Sequence, residues 1–205
     1  MNLVTRAPVT PASAGWAYVG FEPLTLRPGV GVERDTGDNE HCVVVISGTC
    51  SVGEWQDLGG RSDPWSGLPD AVYLPPGTRY LLEGDAEVGI CSAPARTGAP
   101  ARVLPGEAIE AETRGHGAHE RTIHPILMGD EEADSLLVCE VLTPAGHWSS
   151  YPPHKHDRDA MPDESFLEET YYHRISPAHG FAFQRVYTAE DPEGHRWMFG
   201  QRGSA

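Results

Sequence analysis

Residues 41–52 read HCVVVISGTCSV. The β-branched run followed by Ser47-Gly48 predicts a strand, a turn and a second strand. Residues 70–83, DAVYLPPGTRYLLE, repeat the logic with AVYL, a PPG turn and a returning RYLLE. EVGICSAPA at 87–95 supplies another strand. Short strands at this spacing predict an all-β sandwich or barrel. Working outward, RTIHPIL (121–127) and SLLVCEVLTPAG (135–146) predict two further strands. ETYYHRI (169–175) and GFAFQRVYT (180–188) predict two more, joined by SPAHG. No segment combines helical periodicity with caps over three turns.

The connector is PARTGAPARVLPG, residues 94–106, rich in Pro and poor in pattern. It divides the chain into two expected β-domains, 1–110 and 111–205. With 205 residues, 39% of them hydrophobic, the chain is long enough to bury a core. Its 23 glycines and 18 prolines are dispersed among apolar residues, as many tight turns require.

A formal net charge of −15 without a Lys/Arg cluster argues against nucleic acid and anionic membranes as partners. No stretch approaches the roughly 20 apolar residues of a membrane-spanning helix. The first residues, MNLVTRAPVTPASAGWAY, hold no long apolar segment of a secretory signal. Cys42, Cys50, Cys91 and Cys139 form no CxxC pair, so four free thiols and a cytoplasmic location are expected.

The strongest chemical signal is Pro152-Pro153-His154-Lys155-His156-Asp157 followed by Leu167-Glu168-Glu169-Thr170-Tyr171-Tyr172-His173. On strands, residues two apart share a face. His154 and His156 would then face one way, and Glu169, Tyr171 and His173 would share a face opposite to Glu168 and Tyr172. Two imidazoles and a carboxylate suit Zn, Mn, Fe, Co or Ni. The two prolines stiffen the approach to the first ligand. His116, His119 and His124 read as loop histidines, and His41 as structural. The Trp- and Gly-rich stretch SVGEWQDLGGRSDPWSGLPD reads as loop packing.

These segments carry a resemblance. EVLTPAGHWSSYPPHKHD (140–157) and LEETYYHRISPAHGFAFQRVYT (167–188), with their spacing, resemble the second half of the 5-deoxy-glucuronate isomerases of myo-inositol breakdown. HCVVVISGTCSV, GGRSDPWSGLPDAVYLPPGT and RGHGAHERTI are similar to the first half. The resemblance implies a bicupin, two jelly-roll-type β-barrels in one chain. It implies His154, His156 and Glu169 as metal ligands, with Glu169 matching in preference to Glu168. It implies a divalent metal, Zn or Mn, and a metal-dependent aldose–ketose isomerase acting on a small sugar acid, converting 5-deoxy-D-glucuronate to 5-dehydro-2-deoxy-D-gluconate. For that chemistry Tyr171 and His173 are candidate bases, and Arg185 a candidate for the substrate carboxylate.

The chain departs from the family after Thr188. The expected Pro-x-Gly-x-His with its last histidine ligand has no counterpart in AEDPEGHRWMFGQRGSA, and His195 does not match it. An incomplete second barrel is therefore expected, with unpaired strand edges that invite a homo-oligomer. Two other readings are a non-catalytic or decayed metal- or sugar-binding cupin and an iron-dependent cupin dioxygenase.

Overall fold

A computed structural model describes residues 8–129, 131–151 and 154–200. The chain divides into two compact units, one ending at Glu169 and the other beginning at Thr170.

The first unit opens with α1 (Pro11–Ala14), a single turn whose Thr10 and Ser13 cap each other, too short for a periodicity argument to find. The strands that follow are β1 (Gly20–Leu26), β2 (Val32–Asp35), β3 (Asn39–Val52), β4 (Trp55–Gly59), β5 (Ala71–Leu74), β6 (Arg79–Pro94) and β7 (Arg102–Leu104). They form one antiparallel sheet in the order β1-β6-β3-β5-β7, with β2 on β6 and β4 on β3. The architecture is all-β, as expected, and β1 and β7 end the sheet without pairing to each other.

The run 40–46 is buried throughout because both faces of β3 are covered. Val43 and Val45 join Leu26, Val72, Leu82 and Val88 on one side. Cys42 and Val44 join Tyr73, Leu104, Ile126, Leu127 and Val138 on the other. A fully buried aliphatic side chain contributes about 1.5–3 kcal/mol, so this double-sided strand anchors the unit. The second cluster crosses the expected division at 110/111, since Ile126, Leu127 and Val138 lie beyond it.

Two local expectations change. Ser47-Gly48 does not reverse the chain. It is an irregularity within one 14-residue strand, where Gly48 takes φ +82 and a Cβ would stand 2.1 Å from the Asp85 carbonyl. PPGT does turn between β5 and β6, but those strands are not neighbours; each pairs with β3.

β8 (Glu112–Arg114), β9 (Arg121–Leu127) and β10 (Val138–Leu142) form a second, three-stranded sheet in the order β10-β9-β8. Glu40, fully buried on β3, ties the segment before β10 to the large sheet. Its carboxyl accepts from the backbone N–H groups of Asp134, Ser135 and Leu136 at 2.9, 2.6 and 2.8 Å and from the Tyr73 hydroxyl at 2.6 Å.

The second unit contains a hairpin of β11 (Phe181–Val186) and β12 (His195–Gly200). GFAFQRV is a strand as expected, but it pairs with the tail strand rather than with ETYYHRI. Residues 169–175 form no strand. Among the described residues no helix is long and apolar enough to cross a membrane.

Candidate metal centre

His154, His156 and Glu169 bring one donor atom each to within 4.8 Å of one another. They do so without the strands assumed for them: 154–156 and 165–169 are irregular backbone. Pro152 and Pro153 lie outside the described residues. A folded-back loop holds the histidines instead. The Leu167 N–H donates to the His156 carbonyl at 3.2 Å, and Ala160 and Glu164 form an isolated bridge. The Glu164 carboxylate clasps the loop, accepting from the N–H groups of Asp157 and Arg158 and from the Lys155 and Arg158 side chains.

The two imidazoles meet through Nε2, 3.2 Å apart, with rings nearly perpendicular. His156 Nδ1 lies 3.1 Å from the Ser165 carbonyl. A carbonyl only accepts, so Nδ1 carries the proton and Nε2 presents its lone pair. Glu169 Oε2 lies 3.4 Å from His154 Nε2. Ligands about 2.0–2.1 Å from a tetrahedral zinc stand roughly 3.3–3.4 Å apart, so this donor set fits a small divalent cation without rearrangement of these two contacts. The bond to Glu169 raises the His154 pKa above its ordinary value, while burial and the Arg121 charge oppose the rise.

Glu168 goes elsewhere. Its oxygens accept from the N–H groups of Ala17, Tyr18 and Val19 at 2.7, 2.7 and 3.0 Å. Consecutive side chains thus separate as alternation along an extended chain requires.

The other three expected site residues belong to the second unit. Tyr171 and His173 stack, ring centroids 5.9 Å apart, as their shared spacing suggested. His173 Nε2 lies 3.1 Å from Gln184 Oε1. Arg185 lies over the Tyr187 ring at 4.8 Å and donates to the Pro192 carbonyl.

His124 corrects its loop assignment. It sits on β9, buried, with Nδ1 2.9 Å from Glu140 Oε1. Arg61 completes the group, donating to both Glu140 oxygens at 3.0 and 2.7 Å. His41 is structural as expected, buried with Nδ1 2.8 Å from the Tyr80 hydroxyl, and burial lowers its pKa.

Residues 3–204 match the KduI/IolB family. The chain belongs to that family. A 5-deoxy-glucuronate isomerase from Geobacillus kaustophilus is 48% identical over 187 residues, an alignment covering 88% of this chain and 68% of that protein. One of the same name from Bacillus subtilis is 40% identical over 188 residues, covering 88% and 69%. The crystal structure of an IolB-like protein from Salmonella typhimurium superposes with a TM-score of 0.89 at 35% identity, covering 98% of this chain and 81% of that one.

Proposed function

We propose that this family member is a metal-dependent aldose–ketose isomerase converting 5-deoxy-D-glucuronate into 5-dehydro-2-deoxy-D-gluconate. The observation that carries this reading is the convergence of His154 Nε2, His156 Nε2 and Glu169 in a chain 48% identical to a protein named for that reaction. Bound there, a divalent metal such as Zn or Mn would polarise the aldehyde and its neighbouring hydroxyl. The chain's own residues must then move a proton. A base removes it from the hydroxyl-bearing carbon and returns it to the former aldehyde carbon. Tyr171 and His173 are the proposed bases, and the Gln184 contact orients the His173 ring. Arg185 is one candidate for the substrate carboxylate. A cytoplasmic setting agrees with four free cysteines. Self-association into a homo-oligomer would cover open sheet edges.

The test is conversion of 5-deoxy-D-glucuronate by purified protein, metal-loaded and after chelation. Turnover abolished by chelation and restored by metal supports the reading. A silent metal- or sugar-binding cupin is the second reading, favoured by the exposure of His154 and Glu169, and stoichiometric metal without turnover would establish it.

A further inference from the structure

The loop 115–119 encloses one guanidinium whose charge is felt at His154. Arg121 opens β9, and its Nη1 donates to the His119 carbonyl at 3.1 Å. Gly115, at φ +80, lies so close that a Cβ there would stand 2.9 Å from the same nitrogen. The Arg121 Nε–H is buried and has no partner among the described residues. No described carboxylate pairs with this side chain either.

Strand register places a second arginine next to it. Arg114 stands directly opposite Arg121 on β8, and like charges in that position repel unless an anion lies between them. Arg114 has its own partner in Glu112 at 2.8 Å. Alternation puts Arg121 and Ile123 on one face of this sheet, and the register adds Val141 and Cys139. The candidate ligands are within reach of these charges: Arg121 acts on His154, and Glu169 and Arg114 both act on Cys139.

Were a metal held by His154, His156 and Glu169 to engage the carbonyl and hydroxyl end of a sugar acid, the carboxylate at the other end of the carbon chain would still need a cation. We propose that Arg121, flanked by Arg114, is the carboxylate anchor of the substrate site; the assignment rests on the isomerase reading above. With Nη1 committed to His119, the remaining edge of the guanidinium is the one that would receive the carboxylate.

The test compares metal-loaded wild type, Arg121→Gln and Arg121→Lys on 5-deoxy-D-glucuronate and on its neutral carboxamide. Charged hydrogen bonds are worth about 1.5–3 kcal/mol, so KM for the acid should rise roughly 10- to 100-fold in Arg121→Gln, with kcat changed much less. The lysine variant should recover part of the loss. The carboxamide should be poor for wild type and no poorer for Arg121→Gln, and metal content should be equal in all three. An unchanged KM for the acid, or equal losses on acid and carboxamide, overturns the anchor while leaving the isomerase reading intact. If wild type turns over neither compound, the isomerase reading fails, and calorimetric titration with D-glucuronate decides the anchor alone. Binding by wild type that Arg121→Gln lacks supports it; equal or absent binding overturns it.

Discussion

Glu168 and Glu169 are consecutive carboxylates with separate tasks: Glu168 gathers three backbone N–H groups from residues 17–19, and Glu169 turns to His154. Burial pushes the Glu168 pKa up, but the three N–H bonds more than offset it and the net shift is downward. A depressed folded pKa contributes stability that is present above the unfolded carboxylate value and is lost as pH falls through the folded one. Glu168→Ala should therefore lower stability by about 1–3 kcal/mol at neutral pH, less in acid, and leave metal affinity in place. Glu169→Gln should do the reverse. Urea melts at pH 7 and pH 3.5, paired with metal titrations, check both. Equal metal loss in the two variants would sink the division of labour.

Metal uptake should weaken as pH falls through the raised pKa of His154. A metal takes the neutral imidazole, and the Glu169 bond favours its protonated form, so proton competition begins above the ordinary histidine value of about 6.5. Below that pKa, affinity should fall about tenfold per pH unit for each proton displaced. Competition against a chromophoric chelator at pH 8, 7 and 6 measures this. A flat affinity across that range would mean that His154 is not a ligand.

Four thiols should titrate in denaturant and far fewer in the native chain. Cys42 and Cys91 face each other across β3 and β6 and remain reduced. Burial pushes the Cys50 thiol up to about 11, Cys91 to about 12, and Cys42 well above its usual value. Cys139 is the exposed residue of the four; burial of its thiol, then Glu169, raise its pKa too. Labelling with an aromatic disulfide at pH 8 should show one slow native phase, removed by Cys139→Ser. A native count of four would contradict the packing of β3 against β6.

Local pattern carried some features well and missed others for physical reasons. The run at 41–46 announces a strand because β-branched side chains suit a pleated surface, and its lack of alternation already signals two covered faces. His154 and His156 converge without a strand because any extended chain places alternate residues on one side. The strand over 169–175 does not survive, since a strand needs a neighbour and sequence spacing says nothing of where neighbours lie. β12 lies in a tail whose departure from the family motif masks its own strand pattern. Glu168's partners lie about 150 residues away, and no local signal joins them. Arg121 was hidden for the same reason, its role depending on a loop glycine and a cross-strand arginine.

The buried group of Arg61, Glu140 and His124 allows a prediction about how the two sheets of the first unit are held together. Arg61 has a side chain only 3% exposed and sits beyond β4; Glu140 lies 79 residues later on β10. The guanidinium also donates to the Gly67 carbonyl, so it fixes the 61–67 loop as well as the small sheet. Desolvating these charges costs several kcal/mol, which their mutual attraction offsets only while both are present. Removing one partner strands the other. Glu140→Gln or Arg61→Met should therefore cost about 3–5 kcal/mol each. The double variant Arg61→Met/Glu140→Gln should cost clearly less than the two losses added together, because residues in one network are not independent. Denaturant midpoints at constant slope measure all three. Additive losses would mean that the pair contributes nothing as a pair. A single variant as stable as wild type would mean that water reaches this site and that the apolar cluster and the Glu40 bonds join the two sheets without it.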